Sequence, residues 1–170
     1  MEYDLIDWIS EYIFRQYITN ISNIKIKTSG VNADYDLSHS ISDDDREVLN
    51  VRANGRDLSS DECDNFRQYY KSLLSIAIGG YCKDDEYCKL SEDELKALAA
   101  DTDGAYLTFE YTTLANKTTT LRFYPYSARR SLMTVNGVGE FYVLTDLIKK
   151  IENDTVKVLN GETVTAHDKY

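Results

Sequence analysis

Apolar and polar side chains alternate most regularly between residues 105 and 112, where every second position is apolar. A period of two is typical of a strand with one buried face. The stretches 119–124, 128–135 and 140–144 predict three further strands. Asn136-Gly137 separates the last two and predicts a type I′ hairpin, because Asn and Gly both accept a positive φ. This part of the chain is therefore predicted to form a meander of strands.

A weaker series of strands is predicted earlier in the chain, over residues 23–28, 33–41, 47–53 and 56–58. Asn54-Gly55 separates the last two and again predicts a type I′ hairpin. Each series of strands thus ends in the same kind of turn, and a stretch with helical periodicity follows each of them.

An amphipathic helix is predicted over residues 3–18, ahead of the first strand. Its buried face carries Leu5, Ile6, Ile9, Tyr12 and Ile13. Trp8, Phe14 and Tyr17 widen this apolar surface, so a second element or an upstream domain is expected to pack there.

A second helix is predicted to begin at a capping box formed by Ser59 and Glu62. Its apolar stripe consists of Cys63, Phe66, Tyr70, Leu73, Leu74 and Ala77. Gly79-Gly80 is predicted to end it, because Gly permits a left-handed C-cap.

Two more helices are predicted around the second series of strands. Ser91 and Glu94 form another capping box, which opens a short helix that ends near Ala100. That helix is acidic and weakly apolar, so we expect a surface connector. Thr145 is predicted to cap the last helix. The inward positions of that helix are Leu147, Ile148, Ile151 and either Val156 or Val158.

Together these elements predict an α+β fold in which an antiparallel sheet has helices packed on one face, with a probable ββββα pseudo-repeat. The predicted units are an N-terminal amphipathic helix (1–22), a first β-rich half with its helix (23–80), an acidic connector (81–103), a second β-rich half with its helix (104–160) and a polar, frayed tail (161–170). The alternative to a duplication is a pair of unrelated hairpins that both use the commonest turn.

The net charge of −10 describes an acidic surface, which repels phosphate backbones and anionic membranes. No nucleic-acid partner is therefore predicted. No apolar run approaches the length of a membrane-spanning helix, and no secretion signal precedes the first helix. The chain opens directly inside an amphipathic pattern, as expected for a segment of a longer protein. The predicted partner is a protein of unknown identity or another copy of the domain.

No pattern typical of an enzyme occurs along the chain. Gly79-Gly80 ends a predicted helix instead of opening one, which is the wrong polarity for a phosphate-binding loop. His39 lies on a predicted strand and His167 in the tail, and neither has a nucleophile near it in sequence. The acidic cluster 101–104 is closest to a calcium loop, but it lacks the distal Glu of an EF-hand. We therefore predict no catalytic residue, no cofactor and no metal.

The chain has three cysteines, Cys63, Cys82 and Cys88. Cys82 and Cys88 flank the short acidic loop 83–87, a spacing that permits a disulfide in an oxidising compartment and equally permits two free thiols. Cys63 falls on the apolar stripe of a predicted helix, so we expect a buried, inert thiol.

One segment stands out against the acidic background, because its basic and aromatic residues lie within nine positions of one another. It contains Arg122, Tyr124, Tyr126, Arg129 and Arg130. Arg and Tyr are enriched at binding hot spots, and the first three of these residues share strand parity and hence one sheet face. The hypothesis is a contact surface for an acidic partner or for another copy of the domain. The alternative is that these arginines neutralise nearby Asp and Glu.

Three stretches give the chain a family resemblance: residues 66–70 (FRQYY), 123–126 (FYPY) and 136–143 (NGVGEFYV). On these the chain resembles a bacterial domain-of-unknown-function family found in extracytoplasmic, membrane-tethered proteins, some of them beside gliding-related ABC-transporter genes. The resemblance spans residues 3–164 and carries over no catalytic residue. It implies an envelope-facing domain whose membrane tether lies outside this sequence, a location in which a Cys82–Cys88 bridge fits.

Three functions follow as hypotheses. The first is a non-enzymatic extracytoplasmic binding or accessory module, which a groove between the two halves lined with Tyr and Arg would favour. The second is a structural or self-associating domain, which a flat apolar patch around Trp8 and Phe14 would favour. The third is an enzyme with dispersed acidic residues, which acidic side chains converging beside His39 in a deep cleft would favour.

Overall fold

The computed structural model describes residues 13–165, which form a nine-stranded antiparallel sheet with three α-helices. The strands are β1 (Ile21–Lys27), β2 (Asn32–Ile41), β3 (Glu47–Ala53), β4 (Arg56–Asp57), β5 (Gly80–Tyr81), β6 (Leu107–Thr113), β7 (Thr118–Pro125), β8 (Arg130–Val135) and β9 (Val138–Leu144). The helices are α1 (Ser60–Leu74), α2 (Glu92–Ala100) and α3 (Thr145–Leu159). The predicted α+β class is confirmed.

The strands form two meanders that meet in the middle of one sheet. Their order is β4-β3-β2-β1-β6-β7-β8-β9-β5, so β1 pairs with β6 and each meander runs outward from that pair. A helix follows each meander, α1 after β4 and α3 after β9. This matches the order of elements that the predicted pseudo-repeat requires, while a common origin of the two halves stays a prediction.

Both predicted type I′ hairpins form. The φ angles are 48° and 81° at Asn54 and Gly55, and 51° and 85° at Asn136 and Gly137. Each Asn side chain also accepts a hydrogen bond from the neighbouring strand outside its own hairpin. Asn54 Oδ1 accepts from Asp34 N at 2.8 Å, and Asn136 Oδ1 accepts from Thr120 N at 2.9 Å. The two turns therefore fix the register of three strands each.

The main core lies between the sheet and the pair α1 and α3. The capping box of Ser59 and Glu62 forms as predicted at the start of α1. Alternate strand positions such as Ile24, Ile26 and Phe109 are fully buried against this helical layer. Each such side chain contributes about 1.5–3 kcal/mol through burial. The Tyr69 hydroxyl of α1 hydrogen-bonds Thr155 Oγ1 of α3 at 2.7 Å, so a polar contact fixes the two helices within the core.

The helix α2, predicted as a surface connector, packs on the opposite face of the sheet over β7 and β8. The capping box of Ser91 and Glu94 forms at its start. Its partly buried Leu95, Leu98 and Ala99 contact a small second core formed by Cys82, Tyr124 and Leu132. Both faces of β8 are therefore covered, whereas β2 and β3 are covered by a helix on one face only.

The predicted helix at 3–18 is wrong for its last residues, and its first ten lie outside the described residues. Residues 13–17 are not helical, and a short 3₁₀ turn covers Ile18–Asn20. The reason is tertiary. Phe14 turns into the main core, where its ring contacts those of Tyr70 and Phe109 at centroid distances of 5.3 and 5.0 Å.

The prediction that Gly79-Gly80 ends the second helix is also wrong, because α1 already ends at Leu74. Instead, the two glycines allow the backbone to pass close to the Tyr142 side chain. A Cβ on Gly79 would lie 2.2 Å from the Tyr142 ring, and Gly79 N donates to Tyr142 O at 2.8 Å. The chain leaves α1 to reach the edge of β9, which sequence periodicity does not encode.

Two further corrections concern the last helix and the tail. Thr145 is the first helical residue and not the cap, since its Oγ1 hydrogen-bonds Ser131 Oγ at 2.8 Å and Leu144 holds the cap position. Residues 161–165 are docked and not frayed. Val164 is buried, and its N–H donates to Asn65 Oδ1 at 2.7 Å. The rest of the predicted tail, with His167, lies outside the described residues.

Candidate functional site

The structure does not bring the five residues of the Arg and Tyr segment together as one exposed surface. Tyr124 is 1% exposed beneath α2, and its hydroxyl donates to Ala99 O at 3.4 Å. Arg122 shares the sheet face of Tyr124, as its strand parity predicts, but lies half-buried opposite Thr108 and Thr134. Tyr124 is therefore a core residue and not part of a contact surface.

At the other end of the segment, the buried carboxylate of Asp85 lies next to both Tyr126 and Arg130. The Tyr126 hydroxyl donates to Asp85 Oδ2 at 2.6 Å, and Arg130 Nε lies 3.7 Å from the same oxygen. The Asp85 side chain is 4% exposed, so it gives Arg130 a counter-charge inside the fold. Burial, together with the hydrogen bond to Asp85, raises the pKa of Tyr126 well above its usual range, so this hydroxyl stays protonated.

The Arg130 guanidinium lies between two aromatic rings. Its Cζ is 5.3 Å from the centroid of Tyr87 and 4.8 Å from that of Tyr142. Such cation–π contacts contribute about 0.5–2 kcal/mol, more when the cation is shielded from water. Arg130 is thus enclosed by two rings and a nearby carboxylate, while its buried Nε has no hydrogen-bond partner among the described residues.

A small cleft opens beside this arrangement, with a volume of about 290 Å³. Its lining residues are Tyr87, Ser127, Ala128, Arg129 and Arg130, and we call it the arginine cleft. Ser127 Oγ accepts from the backbone N–H groups of Arg129 and Arg130 at 3.4 and 3.1 Å, which shapes the turn.

The positive charge of the arginine cleft has two further sources besides Arg130. Arg129 is exposed, and no ion pair forms on its side chain among residues 13–165. The helix α3 begins next to the turn, since Thr145 N donates to Arg129 O at 3.1 Å. The N-terminal end of a helix carries partial positive charge. The cleft is therefore suited to an anionic group.

Sequence reasoning found the arginines of this cleft and missed their partners. Asp85 and Tyr87 come from the loop between Cys82 and Cys88, and Tyr142 from β9. The sequence did offer one signal, the acidic loop between Cys82 and Cys88. A carboxylate-rich loop and an Arg-rich turn in the same chain are candidates for an ion pair. Because about 40 residues separate them, sequence periodicity does not show that they are in contact.

The three cysteines are free thiols in the structure. Cys82 and Cys88 share the second core, where burial raises the pKa of Cys82 to about 12. Burial also raises the pKa of Cys63, which lies in the main core as predicted. A Cys82–Cys88 bridge stays a prediction.

A second candidate is the uncovered sheet face of β1–β3, which carries a cleft of about 450 Å³. Its polar side chains bind one another. Asn23 Nδ2 donates to the carboxylates of Asp34 and Asp36 at 2.7 and 2.9 Å, and Arg52 pairs with Asp57 at 2.9 Å. One solvated face is normal for an antiparallel sheet. Because the polar side chains of this face already pair with one another, the face indicates a ligand-binding site less strongly than the arginine cleft does.

Acidic side chains converging beside His39 in a deep cleft, the observation set out for an enzyme, are not seen among residues 13–165, whereas the apolar patch set out for self-association includes Trp8 and stays untested. The His39 ring nitrogens lie 3.1 Å from Glu47 Oε1 and 3.3 Å from Ile18 O, and His39 lines neither of the two clefts described above. Between residues 13 and 165, no group of three or more His, Cys, Asp or Glu side chains is placed to hold a metal ion. Phe14 is buried, and Trp8 lies outside the described residues.

None of the helices described between residues 13 and 165 is long and apolar enough to cross a membrane. Comparison with protein-family models, with curated proteins and with solved structures finds no match for this chain. The arginine cleft is therefore interpreted from its own geometry.

Proposed function

We propose that this protein is a non-enzymatic binding module that holds an anionic side chain of a partner protein in the arginine cleft. The observation that supports the proposal is the pairing pattern of the arginines. The chain has 29 acidic and 19 basic residues, yet Arg129 is exposed and forms no ion pair with any residue between 13 and 165, beside an Arg130 that lies between two rings.

The chemistry of the cleft favours a carboxylate. A guanidinium presents a planar fork of N–H donors that matches a carboxylate, and such charge-assisted pairs are about twice as strong as neutral hydrogen bonds. The volume of about 290 Å³ accommodates one side chain and not an extended ligand. Tyr87, 56% exposed, supplies an aromatic wall for the methylene groups of a Glu. Recognition of an acidic partner segment is the function that this arrangement supports best.

The test is a peptide-binding titration. A fluorescein-labelled peptide that alternates Glu and Gly is titrated with the protein, and anisotropy reports binding. Arg129→Ala should weaken binding about tenfold, since a hydrogen bond to a charged group contributes about 1.5–3 kcal/mol. Added salt should weaken it further, because the site is partly exposed.

The matched control is Arg67→Ala, which removes an arginine from α1 on the other side of the sheet. It should leave the affinity for the acidic peptide unchanged. Equal affinity of the wild type, Arg129→Ala and Arg67→Ala would contradict the proposal, as would equal affinity for a peptide in which Gln replaces Glu.

We also propose that the module works outside the cytoplasm, attached to the cell envelope by a tether outside this sequence. The family resemblance supports this location, and so does the placement of Cys82 and Cys88 in one small cluster. Alkylation of the protein in intact cells, followed by mass spectrometry, checks it. An unreacted, bridged Cys82–Cys88 pair is expected, and complete alkylation of both thiols after denaturation without reductant would speak against it.

A further inference from the structure

Residues 161–165, which we call the strap, follow α3 and fold back onto α1 and α3. Gly161 turns the chain with a φ of 72°, and the next N–H, that of Glu162, donates to Lys157 O at 2.8 Å. Val164 is 2% exposed and belongs to the main core, whereas the other four residues of the strap are exposed. A single side chain therefore anchors the strap.

Asn65 of α1 binds the backbone of the strap through both ends of its side-chain amide. Its Nδ2 donates to Glu162 O at 2.8 Å, and its Oδ1 accepts from Val164 N at 2.7 Å. An extended segment presents the C=O of one residue and the N–H of the second residue after it on the same side, so one amide can bind both. These two bonds recognise an extended backbone and do not depend on its side chains.

Lys150 of α3 holds the far end of the strap and also joins the two helices. Its Nζ donates to Thr165 O and to Ser72 Oγ of α1, each at 3.4 Å, and it pairs with Asp154. Ser72 and Asp154 are buried, and both keep their bonds to Lys150 when the strap is absent. Opening of the strap is therefore a local event that leaves α1 and α3 packed.

The surface beneath the strap has the features of a peptide-binding site, and we call it the strap site. It offers the Asn65 amide and the Lys150 ammonium to a backbone, and one buried position, filled by Val164, to a side chain. Backbone hydrogen bonds with a pocket for one side chain are the means by which proteins bind extended peptides. The strap acts as a tethered ligand, at an effective concentration on the order of mM.

The occupant of the strap site is defined by the strap itself. Val164 is a β-branched apolar residue between two threonines, and all three have the extended preference of such residues. A reciprocal exchange of straps between two copies would bring together two chains of net charge −10, which repel each other. A segment of another protein does not carry this penalty.

We propose that the strap site binds an extended segment of a partner protein, one that carries a β-branched apolar residue between small polar residues. The strap occupies this site until the partner segment displaces it, and Asn65 then binds the partner backbone in the same way. The strap site shares no residue with the arginine cleft, so each stands or falls independently of the other.

The probe is a fluorescein-labelled peptide that copies residues 160–165, and anisotropy reports its binding to the whole chain. In Val164→Asp the strap no longer fills the site, because an unpaired charge is excluded from the core. The peptide should therefore bind Val164→Asp at least about tenfold more tightly than it binds the wild type, where the strap competes. A peptide with Asp in place of Val should bind neither protein. Equal affinity of the two peptides for Val164→Asp would overturn the proposal.

Asn65→Ala, added to Val164→Asp, tests the backbone contacts. It should weaken binding of the peptide about tenfold, because it removes two hydrogen bonds. Asn153→Ala truncates an exposed Asn of α3 and is the matched control, which should leave binding unchanged. A peptide that is N-methylated at Val should also bind about tenfold more weakly, since it lacks the N–H that Asn65 accepts. Equal affinity with Asn65→Ala and with Asn153→Ala would overturn the proposal.

Hydrogen exchange tests the release of the strap in the wild-type protein and does not depend on any variant. The Val164 amide should exchange faster than the amides in the middle of α1 and α3, because the strap opens without unfolding the helices. Exchange of Val164 as slow as in these helices would overturn the proposal. Sedimentation analysis detects the competing occupant. A dimer that forms with rising protein concentration, and that Val164→Asp abolishes, would assign the strap site to a second copy and overturn the proposal.

Discussion

At the scale of single residues, a few positions depend on contacts that sequence does not display. Gly139 is the clearest case, since it lies between the predicted turn and the predicted strand 140–144, and nothing in the sequence pattern requires a glycine there. In the structure the pairing of β8 and β9 is irregular between Met133 and Val135, and a Cβ on Gly139 would lie 2.0 Å from the Met133 carbonyl oxygen. The turn glycines were predictable because type I′ hairpins favour glycine, whereas Gly139 is required by a bulge in the pairing with a different strand.

Gly139→Ala should therefore destabilise the protein by about 2–4 kcal/mol, because backbone on both strands must move to admit the methyl group. The matched control is Gly30→Ala, at a position where an added Cβ meets nothing within 4 Å. Its effect should be small, or stabilising by about 0.4–1 kcal/mol through the unfolded state. Urea unfolding measures both, and equal stability of the two variants would contradict this account of Gly139.

At the scale of elements, the starts of α1 and α2 were predictable and two other helix boundaries were not. The capping boxes of Ser59 with Glu62 and of Ser91 with Glu94 are local signals, and both form. The end of α1 and the role of Thr145 depend instead on distant partners, the Tyr142 ring and Ser131. Local chemistry fixes an element boundary only where no tertiary contact competes for the same residues.

The two capping boxes differ in charge, and this difference predicts how the stability of the protein depends on pH. The Arg56 guanidinium makes two hydrogen bonds with Glu62, at 3.1 and 2.9 Å, and with the Ser59 amide it lowers the pKa of Glu62 to about 2. The Ser91 amide lowers the pKa of Glu94 as well, without an arginine. A carboxyl group whose pKa is lowered by folding stabilises the protein above its unfolded pKa, and this stability is lost as the pH falls through the folded pKa.

Glu62→Gln should therefore destabilise the protein by about 1 kcal/mol at pH 7, an amount that allows for the partial exposure of the pair. The difference from wild type should shrink as the pH falls from about 4.5 to about 2. Glu94→Gln serves as the comparison and should have a smaller effect with the same sign. Urea unfolding at several pH values tests this, and a Glu62→Gln effect that persists unchanged below pH 2 would refute it.

At the scale of the whole molecule, the sheet has a main core on one face and a smaller one on the other. The strand periodicity predicted the main core well. The second core was missed, although the adjacent apolar residues Leu132 and Met133 break the alternation within this strand. In the structure, residues 131–134 of β8 are all buried. A strand buried on both faces requires a cover on each. The cover is α2 with the loop before it, and their packing converts Tyr124 from a predicted surface residue into core.

This outer layer is attached to the sheet by the apolar contacts of the second core and by the contacts of Asp85 with Tyr126 and Arg130, so its stability should be separable from that of the main core. Asp85→Asn removes the counter-charge of Arg130 and weakens the acceptor of the Tyr126 hydroxyl. Breaking one partner of a buried pair costs about 3–5 kcal/mol, an upper figure here because Arg130 is 20% exposed. Amide exchange should therefore accelerate over residues 82–100 and stay unchanged in α1 and α3, because the layer shares few contacts with them.

Asp57→Asn, which breaks the exposed pair with Arg52, should change exchange in neither region. Uniform acceleration across the chain in Asp85→Asn would instead mean that both cores unfold as one unit, and the arginine cleft would then be as rigid as the sheet that carries it.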